Sequence, residues 1–188
     1  MITISSRDLE KFQRVIGHIK GAVPKAVSAA MNRAIHRGRT ELSKATRAAF
    51  TIRQKDLFST LSVKTASPGN LNASLESRHP GMLPLYDFNV RPKGVQRRRE
   101  KSVLHSQVRT GGGGTLGRAF VARMKSGHIG VFTRTTSKRN PIRELHTISG
   151  PIMVSQPEVA EPTQTAIAES YHKRADHEIG RVLREAGK

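Results

Sequence analysis

Cysteine and tryptophan are absent from this 188-residue chain, and tyrosine occurs only twice. Without cysteine there are no disulfides, thiolate metal sites or thiol nucleophiles, a composition that fits a reducing compartment. With aromatics at 4%, the core is expected to be thin and built from Ala, Val, Ile and Leu. The same scarcity argues against a surface that stacks single-stranded bases. No apolar run approaches the roughly 20 residues that a bilayer requires. The opening MITISSRDLEKF lacks the basic, then apolar, then small pattern of a secretion signal. A soluble protein made in a cytoplasm, with no membrane partner, is the expectation.

Acidic residues are also scarce. Against 33 Lys and Arg stand 14 Asp and Glu, a formal charge of +19. Self-repulsion of that size disfavours a compact monomer unless a polyanion or an acidic surface offsets it. Basic residues kept only for solubility are the plainer alternative, but Asp and Glu serve that end better. The charge is uneven: residues 23–58, 91–109 and 110–150 each carry +6, whereas 59–90 are neutral and 151–188 carry −1. Two kinds of surface, for two kinds of partner, are implied.

What is present reads as helices at both ends and strands between. Met1–Ile4 alternates weakly, as a short edge strand would. Ser5 or Ser6 then caps a helix whose stripe is Leu9, Phe12, Val15, Ile16 and Ile19. A second helix starts near Pro24 and runs to about Phe50, with Val23, Val27, Ala30, Ala34, Gly38, Leu42, Ala45 and Ala49 along one face. Arg33, Arg37, Thr40, Lys44 and Arg47 repeat at the same spacing, roughly 120° round the cylinder from the apolar row. They make a cationic ridge in which Glu41 is the only acid. Thr51–Ser59 turns into a short helix, Leu61–Thr65 alternates as a strand, and Leu83–Val90 reads as another, with Pro84 pointing to a sheet edge. Ser155 and Glu158 have the spacing of a capping box before a last helix bearing Val159, Ala166, Ile167, Tyr171, Ala175, Ile179, Val182 and Leu183 on one side.

The stretch from Gly117 to Val154 organises the rest. Ala119–Ala122 and Ile129–Phe132 flank Ser126-Gly127, the pattern of a two-stranded hairpin. Arg118, Arg123, Lys125 and Arg134 lie in or beside it, so one face is expected to be apolar and the other cationic. A lone hairpin cannot bury its apolar side, and the amphipathic helices are the candidates to cover it. Upstream, Arg97-Arg98-Arg99 and Lys101 adjoin the run GGGGTLG, a probe for phosphate through backbone N–H groups. A P-loop needs Lys-Ser/Thr after its last Gly, and here Arg118-Ala119 follow Gly117. The stretch 91–117 is therefore expected as a mobile basic and Gly-rich arm within a single domain of residues 1–188.

Catalytic and metal chemistry find no pattern. HExxH and HxH spacings are missing, His172 and His177 share no helical face, and GxSxG is absent. Glu144-Leu145-His146 is the one close acid–His pair in the central region. No cofactor or metal is expected, and the chain is not expected to be an enzyme.

Taken in order, these features resemble the phage minor tail protein Z family of tail-completion proteins. The resemblance is carried by Ala22-Val23-Pro24, Asn32-Arg33, Ile52-Arg53-Gln54-Lys55-Asp56-Leu57, the RRREK arm and Gly run, and Ala119-Phe120. It continues through Gly127 to Phe132-Thr133-Arg134, Pro141-Ile142, Ser149-Gly150-Pro151 and the C-terminal helix, spanning roughly residues 20–188. It implies a structural virion protein, made in the host cytoplasm, that completes the head-proximal end of a long tail. It also implies a homo-oligomeric ring, expected to be hexameric, around the DNA channel. The neighbours would be the tail terminator and tail tube proteins on one side and the head–tail connector on the other. The expected architecture is α+β: N-terminal helices and a long C-terminal helix packed on an antiparallel sheet or small β-sandwich. Arg33, Arg37, Lys44, Arg47, Arg97, Arg98, Arg99 and Lys101 would face genomic DNA or acidic neck proteins. Phe120, Val121, Val131, Phe132 and Arg134 would form a subunit interface. The competing expectation is a sequence-independent nucleic-acid-binding protein working through phosphate contacts.

Overall fold

Three- and four-residue apolar spacing gives the long helices, and short alternating runs give the strands. The computed structural model describes residues 6–78, 81–95 and 103–187. In order come α1 (Ser6–Ile16), α2 (Ala22–Ala49), α3 (Gln54–Ser59), β1 (Leu61–Lys64), β2 (Ser74–Ser77), β3 (Met82–Pro84) and β4 (Asn89–Arg91). Then follow β5 (Leu104–Gln107), β6 (Gly114–Leu116), β7 (Ala119–Arg123), β8 (Ile129–Arg134), β9 (Ile142–Glu144), β10 (His146–Ser149), α4 (Gly150–Ser155) and α5 (Pro157–Ala186). Helices at the N-terminus, antiparallel pairing throughout and a long last helix make this an α+β protein. The edge strand expected at Met1–Ile4 lies outside the described residues.

The chain forms two compact units. The first contains α1, α2 as far as Ala45, the β1–β2 pair and α5. Its core joins Phe12 and Ile16 of α1, Ala26, Val27, Ala30, Met31, Ala34 and Ile35 of α2, and Ile167, Tyr171, Ala175, Ile179 and Val182 of α5. Small residues on α2 let α5 come close. At Gly38 a Cβ would lie 2.3 Å from Ile167 Cδ1, so even a methyl group forces the pair apart. Asn32 anchors the connection after β1, donating from Nδ2 to the Ala66 carbonyl (2.9 Å) and accepting from the Ala66 N–H (2.7 Å).

The second unit runs from Thr46 to Thr60 and from Arg78 to Gln156. Its strands form three small sheets: β10–β3, β4–β5–β6 and β7–β8–β9. Leu85, Val90, Leu104, Val121 and Val131 make a core between them. Ile52, just before α3, and Leu57, within it, are buried as well.

Three expectations are corrected here. The strand expected over Leu83–Val90 is broken into β3, a 3₁₀ turn at Leu85–Asp87 and β4. Pro84 has no N–H to continue a ladder, and the pieces serve different sheets, β3 pairing with β10 and β4 with β5. Ser155 does not act in a capping box. It belongs to α4, which the sequence did not suggest, and its hydroxyl donates to the Ile152 carbonyl (3.0 Å). The hairpin does not divide into an apolar and a cationic face. In the register Phe120↔Phe132 and Val121↔Val131, alternation puts Val121 and Val131 on one face and both phenylalanines on the other, so each face carries apolar groups. The turn itself forms at Met124–His128, with Gly127 at φ 86°, a conformation only Gly adopts easily.

Candidate functional site

Helix α2 presents its cations as the spacing requires. Arg33, Arg37, Thr40, Lys44 and Arg47 are all exposed, while Val27, Ala30, Ala34, Gly38 and Leu42 on the other side are buried. At 100° per residue the five exposed positions fall within an arc of about 80°. Glu41 qualifies this row. Its carboxylate lies 3.4 Å from Arg37 and 3.5 Å from Lys44, so two of the four cations are partly neutralised by one acid. Arg33 and Arg47 lie outside that cluster. Arg97, Arg98, Arg99 and Lys101 fall outside the described residues. Of the stretch 91–117, residues 104–107 and 114–116 are the strands β5 and β6.

The hairpin residues named from sequence separate by depth. Val121, Val131 and Phe132 are buried within this chain, Val131 completely. Phe120 is half-buried and Arg134 exposed. The Arg134 guanidinium sits 4.9 Å from the centre of the Phe120 ring, a cation–π arrangement that keeps both groups at the surface as one platform. The β7–β8–β9 sheet and its loops bring further cations to the unit's surface, since Arg118, Arg123, Lys125, Lys138, Arg139 and Arg143 are all exposed.

His128 has no acid near it in the sequence; folding brings it to one sixteen residues away. His128 Nε2 lies 2.7 Å from Glu144 Oε1, and His146 Nε2 lies 4.0 Å from Glu144 Oε2. The carboxylate can reach His128 because Gly130 lies beneath it, where a Cβ would stand 2.4 Å from Oε1. Linear spacing shows the Glu144–His146 pair, but only the β8–β9 register, Phe132↔Glu144, brings His128 to it. Among the described residues, no set of three or more His, Asp or Glu is arranged to hold a metal ion.

Near it, Arg53 bridges two acids, donating from Nε to Asp56 and from Nη2 to Asp87 at 2.9 Å. Burial would lower the Arg53 pKa, but the hydrogen bonds and charges of Asp56 and Asp87 outweigh it, and the net direction is up. Asp87 is also raised. Burial is the main cause and the Asp56 charge the next; Arg53 opposes both, and Glu144 adds a smaller push upward. Thr51, Arg53, Tyr86, Phe88, Asn89, Val90 and Lys93 line a cleft of about 300 Å³ beside this network. The Thr51 hydroxyl is taken, donating to the Gln107 carbonyl and accepting from the Asn89 N–H.

Helices and small antiparallel sheets, with exposed cations along one face of α2 and around the β7–β8–β9 sheet, make this a basic α+β protein. The chain belongs to the prophage minor tail protein Z family, whose family model matches residues 7–187, nearly the whole chain. It is thus a phage minor tail protein, a structural component of the virion, and works beside other tail components. Searches of curated proteins and of solved structures found no match. Among the described residues no helix is long and apolar enough to cross a membrane.

The family landmarks now have physical roles. In Ile52-Arg53-Gln54-Lys55-Asp56-Leu57 the two apolar ends are buried while Arg53 and Asp56 pair across α3. Ser149-Gly150-Pro151 starts α4, with Ser149 extended and Pro in the first turn, where its missing N–H costs nothing.

Proposed function

We propose that this protein completes the head-proximal end of a phage tail as a ring of identical subunits, six in number, at the head–tail junction around the DNA channel. The tail terminator and tube lie on one side of it and the head connector on the other. The observation that carries the reading is the exposed cationic row on α2 within a member of a minor tail family. In a ring around DNA, a long straight row of cations can follow a phosphate backbone or meet acidic neck proteins. The arm containing Arg97, Arg98, Arg99 and Lys101 extends the same role in this reading.

On the hairpin, the assembly contact narrows to Phe120 and Arg134, since Val121, Val131 and Phe132 hold the subunit's own core. The role is structural rather than enzymatic. Incubating DNA with the protein and Mg²⁺ or Mn²⁺ tests that; product formation lost in His146→Ala overturns it.

A second reading, sequence-independent nucleic-acid binding as the main work, draws on the same α2 row and the +19 charge. Purified protein would then hold duplex DNA, with log K falling against log[salt] by about 0.9 per neutralised phosphate. Rings on tail ends favour the first reading; tight DNA binding without tail incorporation favours the second.

A further inference from the structure

We infer that the acidic face at the start of α5 in one copy docks into a lysine-rimmed groove at the far end of α5 in the next copy. This rests on the ring reading above and names the contact that closes it.

The acid side is unusual for so basic a chain. Within α5 no Lys or Arg precedes Lys173, while Glu158, Glu161 and Glu169 do. Glu161 and Glu169 are exposed on α5, and with Glu158 they lie within an arc of about 80° at 100° per residue. The helix dipole accounts for an acid in the first turn, but its influence fades beyond that turn. Glu169 sits three turns in, so the dipole leaves it unexplained.

The groove lies at the opposite end. Ile19 and Lys20 of the α1–α2 connection and Ala22 and Lys25 of the first turn of α2 face Arg181, Val182, Glu185 and Ala186 of α5 across about 390 Å³. Its floor is apolar, with Ala22 and Val182 buried. Arg181 is occupied by two acids, donating to Glu178 and Glu185 at 2.8 Å each, which raises its pKa. The available charge is therefore that of Lys20 and Lys25, both exposed and unpaired with any carboxylate among the described residues. Leu183, 42% exposed, adds an apolar group on the same last turns.

The acidic patch and the groove lie on one helix, and even their nearest members, Glu169 and Arg181, are separated along it by about 18 Å, so they cannot meet within a subunit. A contact of one patch with the other on a neighbour is heterologous, and heterologous contacts that close generate rings. Phosphate also suits the two lysines, but it offers nothing to Glu161 and Glu169; a second copy satisfies both.

Charge exchange tests this. Two full-length variants, Lys20→Glu/Lys25→Glu and Glu161→Lys/Glu169→Lys, are supplied singly and together to a phage lacking the wild-type gene. Copies per tail and infectivity are then counted. Each variant alone is expected to fold by circular dichroism yet lose incorporation and infectivity by at least tenfold. The two together are expected to recover most of both, because alternating copies satisfy every contact in a ring of even number. If Lys20→Glu/Lys25→Glu does not fold, Lys20→Gln/Lys25→Gln replaces it, with loss of incorporation expected. Wild type present in several copies per tail, with either variant incorporated equally well or with no rescue by mixing, overturns this contact alone. Wild type present as a single copy overturns the ring itself.

Discussion

Asn32 shows how one side chain can hold a unit together. Its amide makes two hydrogen bonds to the backbone of Ala66, so Asn32→Ala should cost about 1–3 kcal/mol, read from urea unfolding. Asn32→Asp keeps the acceptor but sets a carboxylate against the Ala66 carbonyl, and should cost at least as much. Gly38 is constrained by space. Gly38→Leu overpacks the contact with Ile167 and should cost about 1–3 kcal/mol or more, part of it recovered by Ile167→Ala. Asp87 carries a pH signature. Its folded pKa is raised, so the folded state holds the proton more tightly than the unfolded one. Its contribution to stability is present at acid pH and falls as pH rises from the ordinary Asp value of about 4 through the raised folded value. Asp87→Asn should therefore gain stability relative to wild type as pH climbs through that window. A difference that stays flat or shrinks contradicts the assignment.

At the scale of elements, α2 combines a buried small-residue side with an exposed cationic one, and both were readable from periodicity. The Glu41 ion pairs follow from the same spacing, three and four residues apart. Arg37→Glu with Lys44→Glu removes exposed pairs worth about 0.3–0.5 kcal/mol each, so the helix should persist while assembly or DNA passage fails; unchanged infectivity rules the ridge out. Glu41→Gln should do the opposite, releasing two cations and strengthening polyanion binding at low salt. In the hairpin, Arg134→Glu should leave stability near wild type and impair assembly, whereas Phe132→Ala should cost about 3–5 kcal/mol as a core deletion. The hairpin's existence was legible, since alternation around Ser126-Gly127 is local. Its facing was less so, because two phenylalanines fall on the face opposite Val121 and Val131. The breaks at Pro84 and at α4, and the approach of His128 to Glu144, depend on which strands pair. Pairing is long-range information that no local run of residues contains.

For the whole molecule, helices at both ends and antiparallel strands between them were written in hydrophobic period, and the charge map marked where cations gather. The family landmarks proved to be structural joints: a buried pair around α3, a helix start at Gly150, and a clamp at Asn32. Such joints preserve a shape, which suits a structural component of a phage tail. The most direct measurement is an image of the phage neck at subunit resolution. The account predicts copies of this chain in a closed ring at the head-proximal end of the tail, with Arg33, Arg37, Lys44 and Arg47 turned toward DNA or an acidic neighbour. A neck from which the chain is missing, or a ring whose α2 cations all face bulk solvent, contradicts it.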